Sequence, residues 1–130
     1  MITYSAFGQD YLIEEFSGDV NAREFMSMKK SQIDETDYFK VSGIVMDLRK
    51  ANFTFTKQKL RQFFAWIIKN KAILENKSIA VLTKTMNQLN FGYLFMEKMQ
   101  QNYISVKIEQ FSTKKEAYNW LNENRRLKPF

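Results

Sequence analysis

The segment SGIVMDL at residues 42–48 is apolar, with β-branched isoleucine and valine at its centre and one acidic residue near its end. A strand that is covered by helices on both faces has this composition, whereas a strand with one face in solvent alternates apolar and polar residues. The segment SIAVLT at residues 78–83 has the same character. Two such strands predict a sheet that carries helices.

The clearest amphipathic helix of the chain lies between these two strands. Its apolar side chains recur at the spacing of one helical face: Leu60, Phe63, Phe64, Ile67 and Ile68. Thr56 is the predicted N-cap, and the helix is predicted over residues 57–72. A strand, a helix and a second buried strand in this order predict a crossover connection between parallel strands.

The amino-terminal third predicts a hairpin and a helix. Residues 2–7 and 11–16 read as strands, and GQD at residues 8–10 reads as the turn between them. SGD at residues 17–19 is expected to end the second strand, whose buried face the pattern leaves undecided. Asn21 with Glu24 predicts a capped helix over residues 22–33. Its inward side is expected to carry Ala22, Phe25, Met26 and Ile33.

The carboxyl-terminal third predicts a helix over residues 86–101 and an alternating edge strand over residues 105–111. A final helix follows a capping box formed by Thr113 and Glu116. The predicted order is β-β-α-β-α-β-α-β-α. This order gives an α/β class, with a single-layer mixed, largely parallel sheet of four to five strands flanked by helices, in one domain over residues 1–130.

Cysteine and histidine are both absent from the 130 residues. Their absence excludes thiol nucleophiles, thiolate metal sites and the commonest general base near neutral pH. No Walker-type loop, dinucleotide glycine fingerprint or nucleophile elbow is present either. We therefore expect a protein that is not an enzyme, with no cofactor and no metal site.

The chain carries a formal net charge of +6. This charge permits binding to an acidic protein, an anionic lipid or a nucleic acid, and it also fits a lysine-rich surface that is only solvated. Nucleic acid is disfavoured because aromatic residues are not interleaved with arginine in a recognised motif. The first 16 residues lack a basic segment, and the longest apolar run, residues 63–68, is too short to cross a bilayer. We expect a cytoplasmic protein.

Three short motifs are shared with a known family. They are Asp47-Leu48-Arg49 before a basic helix, FSTKKEAYNWL at residues 111–121, and Phe16-Ser17-Gly18 before a helix. Together they resemble the SpoIIAA-like proteins of the STAS/SEC14-type superfamily. The resemblance implies a four- or five-stranded sheet flanked by helices. It also implies a binding module, since members include anti-sigma-factor antagonists, transporter-associated regulatory domains and lipid-carrier relatives.

The antagonists of that family place a phosphorylatable serine in an Asp-Ser-Gly-type turn between a central strand and the next helix. The matching residues 47–56 contain no serine and no glycine, and Thr54 and Thr56 are their only hydroxyls. This departure argues against the family's serine switch and leaves phosphorylation of either threonine open.

Cations are concentrated after the central strand and at the start of the following helix. Because a helix start carries a positive dipole end, cations there are unfavourable unless an anion offsets them. The carboxyl ends of strands are also where ligands bind in open α/β sheets. We predict an anion or acidic-partner site made of Arg49, Lys50, Thr54, Thr56, Lys57 and Arg61. The alternative is solvated surface charge, with Asp47 pairing Arg49.

The helix at residues 86–101 is apolar on more than one side. One stripe carries Phe91, Phe95 and Met99, and another carries Leu89, Tyr93 and Met96. One stripe can face the sheet, and the other then needs a cover: a homodimer partner, a lipid tail or the carboxyl-terminal residues. The predicted apolar interface or ligand site consists of Phe91, Leu94, Phe95 and Met99. Burial of both stripes within the monomer is the competing interpretation.

The leading hypothesis is a non-catalytic regulatory or protein-binding module that engages an anionic or acidic partner at residues 49–61. The alternative is a small-molecule or lipid-binding domain with an apolar pocket near residues 89–99. The basic residues at positions 125–130 suit a solvated end, or an extension of the anion-binding surface.

Overall fold

The structure is a computed structural model that describes residues 1–7 and 10–126. The strands are β1 (Ile2–Phe7), β2 (Tyr11–Val20), β3 (Gly43–Phe53), β4 (Lys77–Leu82) and β5 (Val106–Phe111). The α-helices are α1 (Ala22–Glu35), α2 (Lys57–Lys69), α3 (Met86–Gln101) and α4 (Lys114–Arg126). Short 3-10 helices at Tyr38–Lys40 and Lys71–Ile73 precede β3 and β4.

The five strands form one mixed sheet in the order β1-β2-β3-β4-β5. β1 is antiparallel to β2, and the four strands β2 to β5 are parallel. The predicted α/β class and strand-helix order are confirmed. Because each crossover joins neighbouring strands in the same direction, α1, α2 and α3 all pack on one face of the sheet, and α4 packs on the other.

The main core lies between the sheet and α1, α2 and α3, and phenylalanine dominates it. Phe63 and Phe64 of α2 meet Phe91 and Phe95 of α3, and Phe53 of β3 stacks on Phe91 with ring centroids 4.1 Å apart. Facing aromatic rings from a strand and two helices hold these three elements together.

The smaller core lies under α4. Ala117 and Leu121 of α4 pack on β3 and β4. A single helix does not span five strands, and on this same face the side chains of Thr3, Ser5 and Glu15 on β1 and β2 are exposed. Polar residues therefore occupy the part of the sheet that α4 leaves in solvent.

One prediction for the amino-terminal third is wrong, and another is confirmed only in part. SGD at residues 17–19 does not end β2, which continues to Val20 because a register shift after Glu15 and a left-handed backbone at Gly18 (φ 68°) keep it paired with β3. Of the residues predicted for the inward side of α1, Phe25 is buried, and Ala22 and Ile33 are half-buried against the main core. The other buried residues of α1 are Met28, Lys29 and Gln32. The apolar pattern missed Lys29 and Gln32 because they are polar.

The polar members belong to a buried cluster. Glu14 faces the main core together with Leu12 and Phe16, and it is 0% exposed. Lys29 Nζ lies 2.5 Å from Glu14 Oε2 and 2.7 Å from Gln32 Oε1. Burying a carboxylate is tolerated only with such a partner. The sequence pattern leaves the buried face of β2 open because both faces are buried over residues 11–14: Leu12 and Glu14 face the main core, and Tyr11 and Ile13 face α4.

Three further boundaries differ from the predictions. β3 continues from residue 48 to Phe53, α1 extends to Glu35, and α2 ends at Lys69 with a 3-10 turn after it. The predicted helix caps at Asn21, Thr56 and Thr113 are confirmed by their bonds to backbone N–H groups. Residues 8 and 9 of the predicted turn lie outside the described residues. None of the described helices has the length and apolar character needed to cross a membrane.

Candidate functional site

A crevice of about 830 Å³ opens at the carboxyl ends of β3, β4 and β5. β4 and β5 both end at the paired residues Leu82 and Phe111. β3 continues beyond Asp47, which is its last residue to pair with β4. The space beyond the shorter strands is the crevice. Its lining comprises Asp47, Arg49, Lys50, Thr83, Lys84, Leu89, Tyr93, Gln110, Phe111, Ser112 and Glu116.

Gln88 of α3 fixes the loop that carries Lys84. Its side-chain oxygen accepts from the backbone N–H of Lys84 at 2.7 Å and of Thr85 at 3.1 Å, and its Nε2 donates to Ala51 O at 3.0 Å. Thr85 caps the helix in return, through a 3.2 Å bond from the Gln88 N–H. Gln88 is buried, so these bonds are shielded from water. They join the extended end of β3 to the start of α3.

Gly92 lets α3 lie close to β5. The Gln110 side chain reaches across to α3, where its Nε2 donates to Leu89 O at 3.3 Å. A Cβ at position 92 would lie 2.3 Å from Gln110 Oε1, which no real contact allows. The atoms in question are the far end of the Gln110 side chain, so a larger residue at position 92 would have to displace this side chain from its bond to Leu89.

Asp47 and Arg49 form an ion pair at the floor of the crevice. They are two apart on β3 and so point to the same face, the one that α4 covers. Arg49 Nε and Nη2 each donate to the carboxylate at 2.9 Å, and the Arg49 backbone N–H donates at 3.1 Å. A bidentate pair orients the guanidinium and leaves its outer N–H groups for another acceptor.

The charges around this pair favour its ionised form. Burial opposes the ionisation of Asp47, but the hydrogen bonds from Arg49 and the charges of Arg49 and Lys114 outweigh it, and the pKa of Asp47 lies below its ordinary value. The hydrogen bond to Asp47 raises the pKa of Arg49. The positive charge of Arg49 is thus fixed in place at any moderate pH.

The crevice is electropositive overall. Arg49 and Lys50 come from β3, and Lys84 follows β4. Its two carboxylates are both engaged, because Asp47 binds Arg49 and Glu116 accepts hydrogen bonds from the hydroxyls of Ser112 and Thr113. The lining therefore carries three cations against two carboxylates, and the charges of Lys50 and Lys84 are not paired with Asp47. Over the described residues, no group of three or more acidic side chains is placed to hold a metal ion.

A solved structure shares this architecture. It is the crystal structure of an uncharacterized protein of the DUF3478 family with a SpoIIAA-like fold from Shewanella loihica PV-4. The match has a TM-score of 0.62 at 12% sequence identity and covers 93% of this chain and 92% of the other. This chain has a SpoIIAA-like fold. No family model matches the sequence, and no curated protein matches it.

The fold expected from the resemblance is confirmed by this match. At 12% identity the likeness concerns the fold alone. What a chain with a SpoIIAA-like fold binds has to be argued from its own side chains.

The SpoIIAA-like sheet separates the residues of the predicted anion site. Arg49 and Lys50 line the crevice, whereas Thr54, Thr56, Lys57 and Arg61 do not. The cause is the length of β3, which continues to Phe53 and carries the following residues on the order of 13 Å beyond Arg49. Thr56 serves as the N-cap of α2, accepting from the Lys59 N–H at 3.2 Å. The start of α2 is solvent-exposed.

The sequence prediction missed Lys84, Ser112 and Tyr93. Lys84 and Ser112 directly follow the predicted strands at residues 78–83 and 105–111. Applying the strand-end rule to all parallel strands, and not only to the central one, would have found them. Tyr93 belongs to the second apolar stripe of α3, and its side chain is 59% exposed at the crevice.

The predicted apolar interface is mostly core. Phe91, Phe95 and Met99 are buried against the sheet and α2, because their stripe of α3 is the one that faces inward, so they cannot offer an exposed surface. Phe91 and Leu94 border a small groove of about 200 Å³ beside Phe53 and Phe55. Pockets that hold small molecules measure roughly 300–1,000 Å³. The predicted basic tail lies outside the described side chains, which end at residue 124.

The Asp47–Arg49 pair predicts a specific acid dependence of stability. Because the folded state lowers the pKa of Asp47 below its ordinary value of 3.8, the pair stabilises the fold above that value and loses its contribution as the pH falls below it. We expect Asp47→Asn to lower the free energy of unfolding by about 1 kcal/mol at neutral pH and by much less near pH 2.5. Urea unfolding at the two pH values measures this, and a difference that does not change with pH would exclude a role for the carboxylate charge.

Proposed function

We propose that this domain is a non-catalytic regulatory binding module that holds an anionic group, on a ligand or on an acidic partner protein, in the crevice at the carboxyl ends of β3, β4 and β5. One observation carries the proposal: Arg49 and Lys50 of β3 and Lys84 of the β4–α3 loop line a single crevice. A cytoplasmic setting fits such a module.

The arrangement of these cations supports anion binding over solvated surface charge. Arg49 is held by Asp47, and the backbone that carries Lys84 is held by Gln88. Pre-positioned donors lose little conformational entropy when a ligand arrives, so more of the interaction energy appears as affinity. A guanidinium and ammonium groups that converge on one space are the usual means of binding phosphate or carboxylate.

The side chains of the crevice support binding without catalysis. Asp47 is engaged by Arg49, and Oε1 of Glu116 accepts hydrogen bonds from the hydroxyls of Ser112 and Thr113. The chain supplies no histidine or cysteine as a general base or nucleophile. The hydroxyl of Ser112 donates to Glu116 at 3.1 Å, and Glu116 also accepts from Thr113.

Phosphate affinity tests the proposal. In calorimetric titrations with inorganic phosphate, we expect Arg49→Gln and Lys84→Gln each to weaken binding about tenfold, since each removes one charge-assisted contact. Lys71→Gln is the matched control, because Lys71 lies before β4 at the opposite end of the sheet with a side chain that is 62% exposed. Equal weakening by all three variants, or by none, would show that phosphate is not bound in the crevice.

A further inference from the structure

One wall of the crevice is apolar and aromatic. Leu89 and Tyr93 are four apart on α3 and so lie on the same side of the helix, which borders the crevice. Phe111 at the end of β5 adds a half-buried ring, which packs on Trp120 of α4 with centroids 5.7 Å apart. The cations come from β3 and the β4–α3 loop, whereas these apolar groups come from α3 and β5.

The aromatic wall is rigidly placed and still accessible. The Gln110 side chain joins β5 to α3 through its bond to Leu89 O, and the capping box of Thr85 and Gln88 fixes the start of the helix. Tyr93 is nevertheless 59% exposed. An exposed ring on a fixed helix beside a space of about 830 Å³ can stack on a ligand without rearranging the fold.

From this geometry we propose that the group bound in the crevice is an aromatic oxyanion, in which a planar ring is joined directly to a phosphate, sulfonate or carboxylate. The inference rests on the proposed function and specifies its ligand. The oxyanion contacts Arg49 and Lys84, and the ring lies against Leu89 and Tyr93. The volume of the crevice is in the range of pockets that hold whole small molecules and far exceeds that of a bare oxyanion.

The two parts of the ligand can be tested separately by comparing phenyl phosphate with methyl phosphate, which carries the same anionic group without the ring. We expect phenyl phosphate to bind the wild-type protein at least tenfold more tightly, by calorimetry. In Tyr93→Ala the advantage of phenyl phosphate is expected to shrink several-fold, while the affinity for methyl phosphate stays unchanged. Tyr103→Ala is the matched control, since Tyr103 is 95% exposed and lies before β5 at the other end of the sheet.

The outcomes separate this inference from the proposed function. If both esters bind equally, or if Tyr93→Ala keeps the full advantage of phenyl phosphate, the aromatic assignment is overturned and the anion site stands. If neither ester nor inorganic phosphate binds, the proposed function itself fails. Far-ultraviolet circular dichroism and the urea-unfolding midpoint of each variant verify that the fold is intact, which is expected because the replaced rings are exposed.

Discussion

Replacing Lys29 by methionine is expected to lower the free energy of unfolding by about 3–5 kcal/mol, the range found when one member of a buried ion pair is removed. Lys29 and its partner Glu14 are 2% and 0% exposed. One carboxylate oxygen of Glu14 already has no partner among the described residues. Without Lys29 the other oxygen loses its 2.5 Å contact, and the buried charge is left uncompensated.

The double variant Glu14→Leu, Lys29→Met separates the cost of a broken pair from the value of the intact one. Replacing a whole buried ion pair by apolar residues is often neutral or stabilising, so we expect the double variant to recover most of the stability lost in Lys29→Met. Urea unfolding of the single and double variants gives the coupling between the two positions.

Lys71→Met is the control for charge removal alone. Lys71 pairs with Glu75 at 3.9 Å on the surface, and such pairs contribute at most about 1 kcal/mol. If Lys29→Met were no more destabilising than Lys71→Met, or if the double variant were as unstable as the single one, the buried pair would not have the energetic role assigned to it.

Replacing Lys77 by methionine is expected to lower the free energy of unfolding by roughly 2–4 kcal/mol, which is the second large effect. Lys77 is 4% exposed, and its Nζ donates to Tyr38 O at 2.8 Å and to Val41 O at 2.5 Å. It also lies 4.4 Å from the centroid of the Tyr38 ring. Methionine fills the space but donates nothing, and each buried carbonyl that loses a donor costs about 1–3 kcal/mol.

The contacts of Lys77 also predict a local structural change in Lys77→Met. Tyr38 is anchored through its hydroxyl, which donates to Ile73 O at 2.5 Å, and both burial and the Glu14 carboxylate raise its pKa, so it stays a neutral donor. Loss of Lys77 should loosen the 3-10 turn Tyr38–Lys40 and lower the amide protection of Val41. Lys40→Met, at an exposed position in the same turn, is the control. If Lys77→Met lowered the free energy of unfolding by less than about 1 kcal/mol, the role given to the bonds from Lys77 to Tyr38 O and Val41 O would be contradicted.

These two lysines show where sequence patterns stop being informative. The strands at residues 42–48 and 78–83 were predictable because a strand that helices cover on both faces has a nearly continuous apolar sequence. Lys29 and Glu14 were not, because a charged residue reads as exposed unless its partner is known, and this partner lies 15 residues away on another element. For this reason Lys29 was absent from the predicted inward side of α1.

The candidate site was predicted only in part, because its outline depends on where β3 ends. Arg49 and Lys50 follow a strand that the sequence identifies, so the strand-end rule reaches them. Thr54, Thr56, Lys57 and Arg61 were grouped with them because the end of β3 was placed too early. Its continuation depends on pairing with β2, which itself depends on the positive φ of Gly18 and the register shift after Glu15. Such pairings involve distant residues and leave no local pattern.

The central claim is that anions bind in the crevice and not at the start of α2, and a phosphate titration followed by backbone amide chemical shifts tests it directly. The account predicts saturable shifts at Arg49, Lys50, Lys84 and Ser112, which surround the crevice. It predicts little change over residues 57–61. Shifts confined to residues 57–61, or no saturable shifts at all, would contradict it.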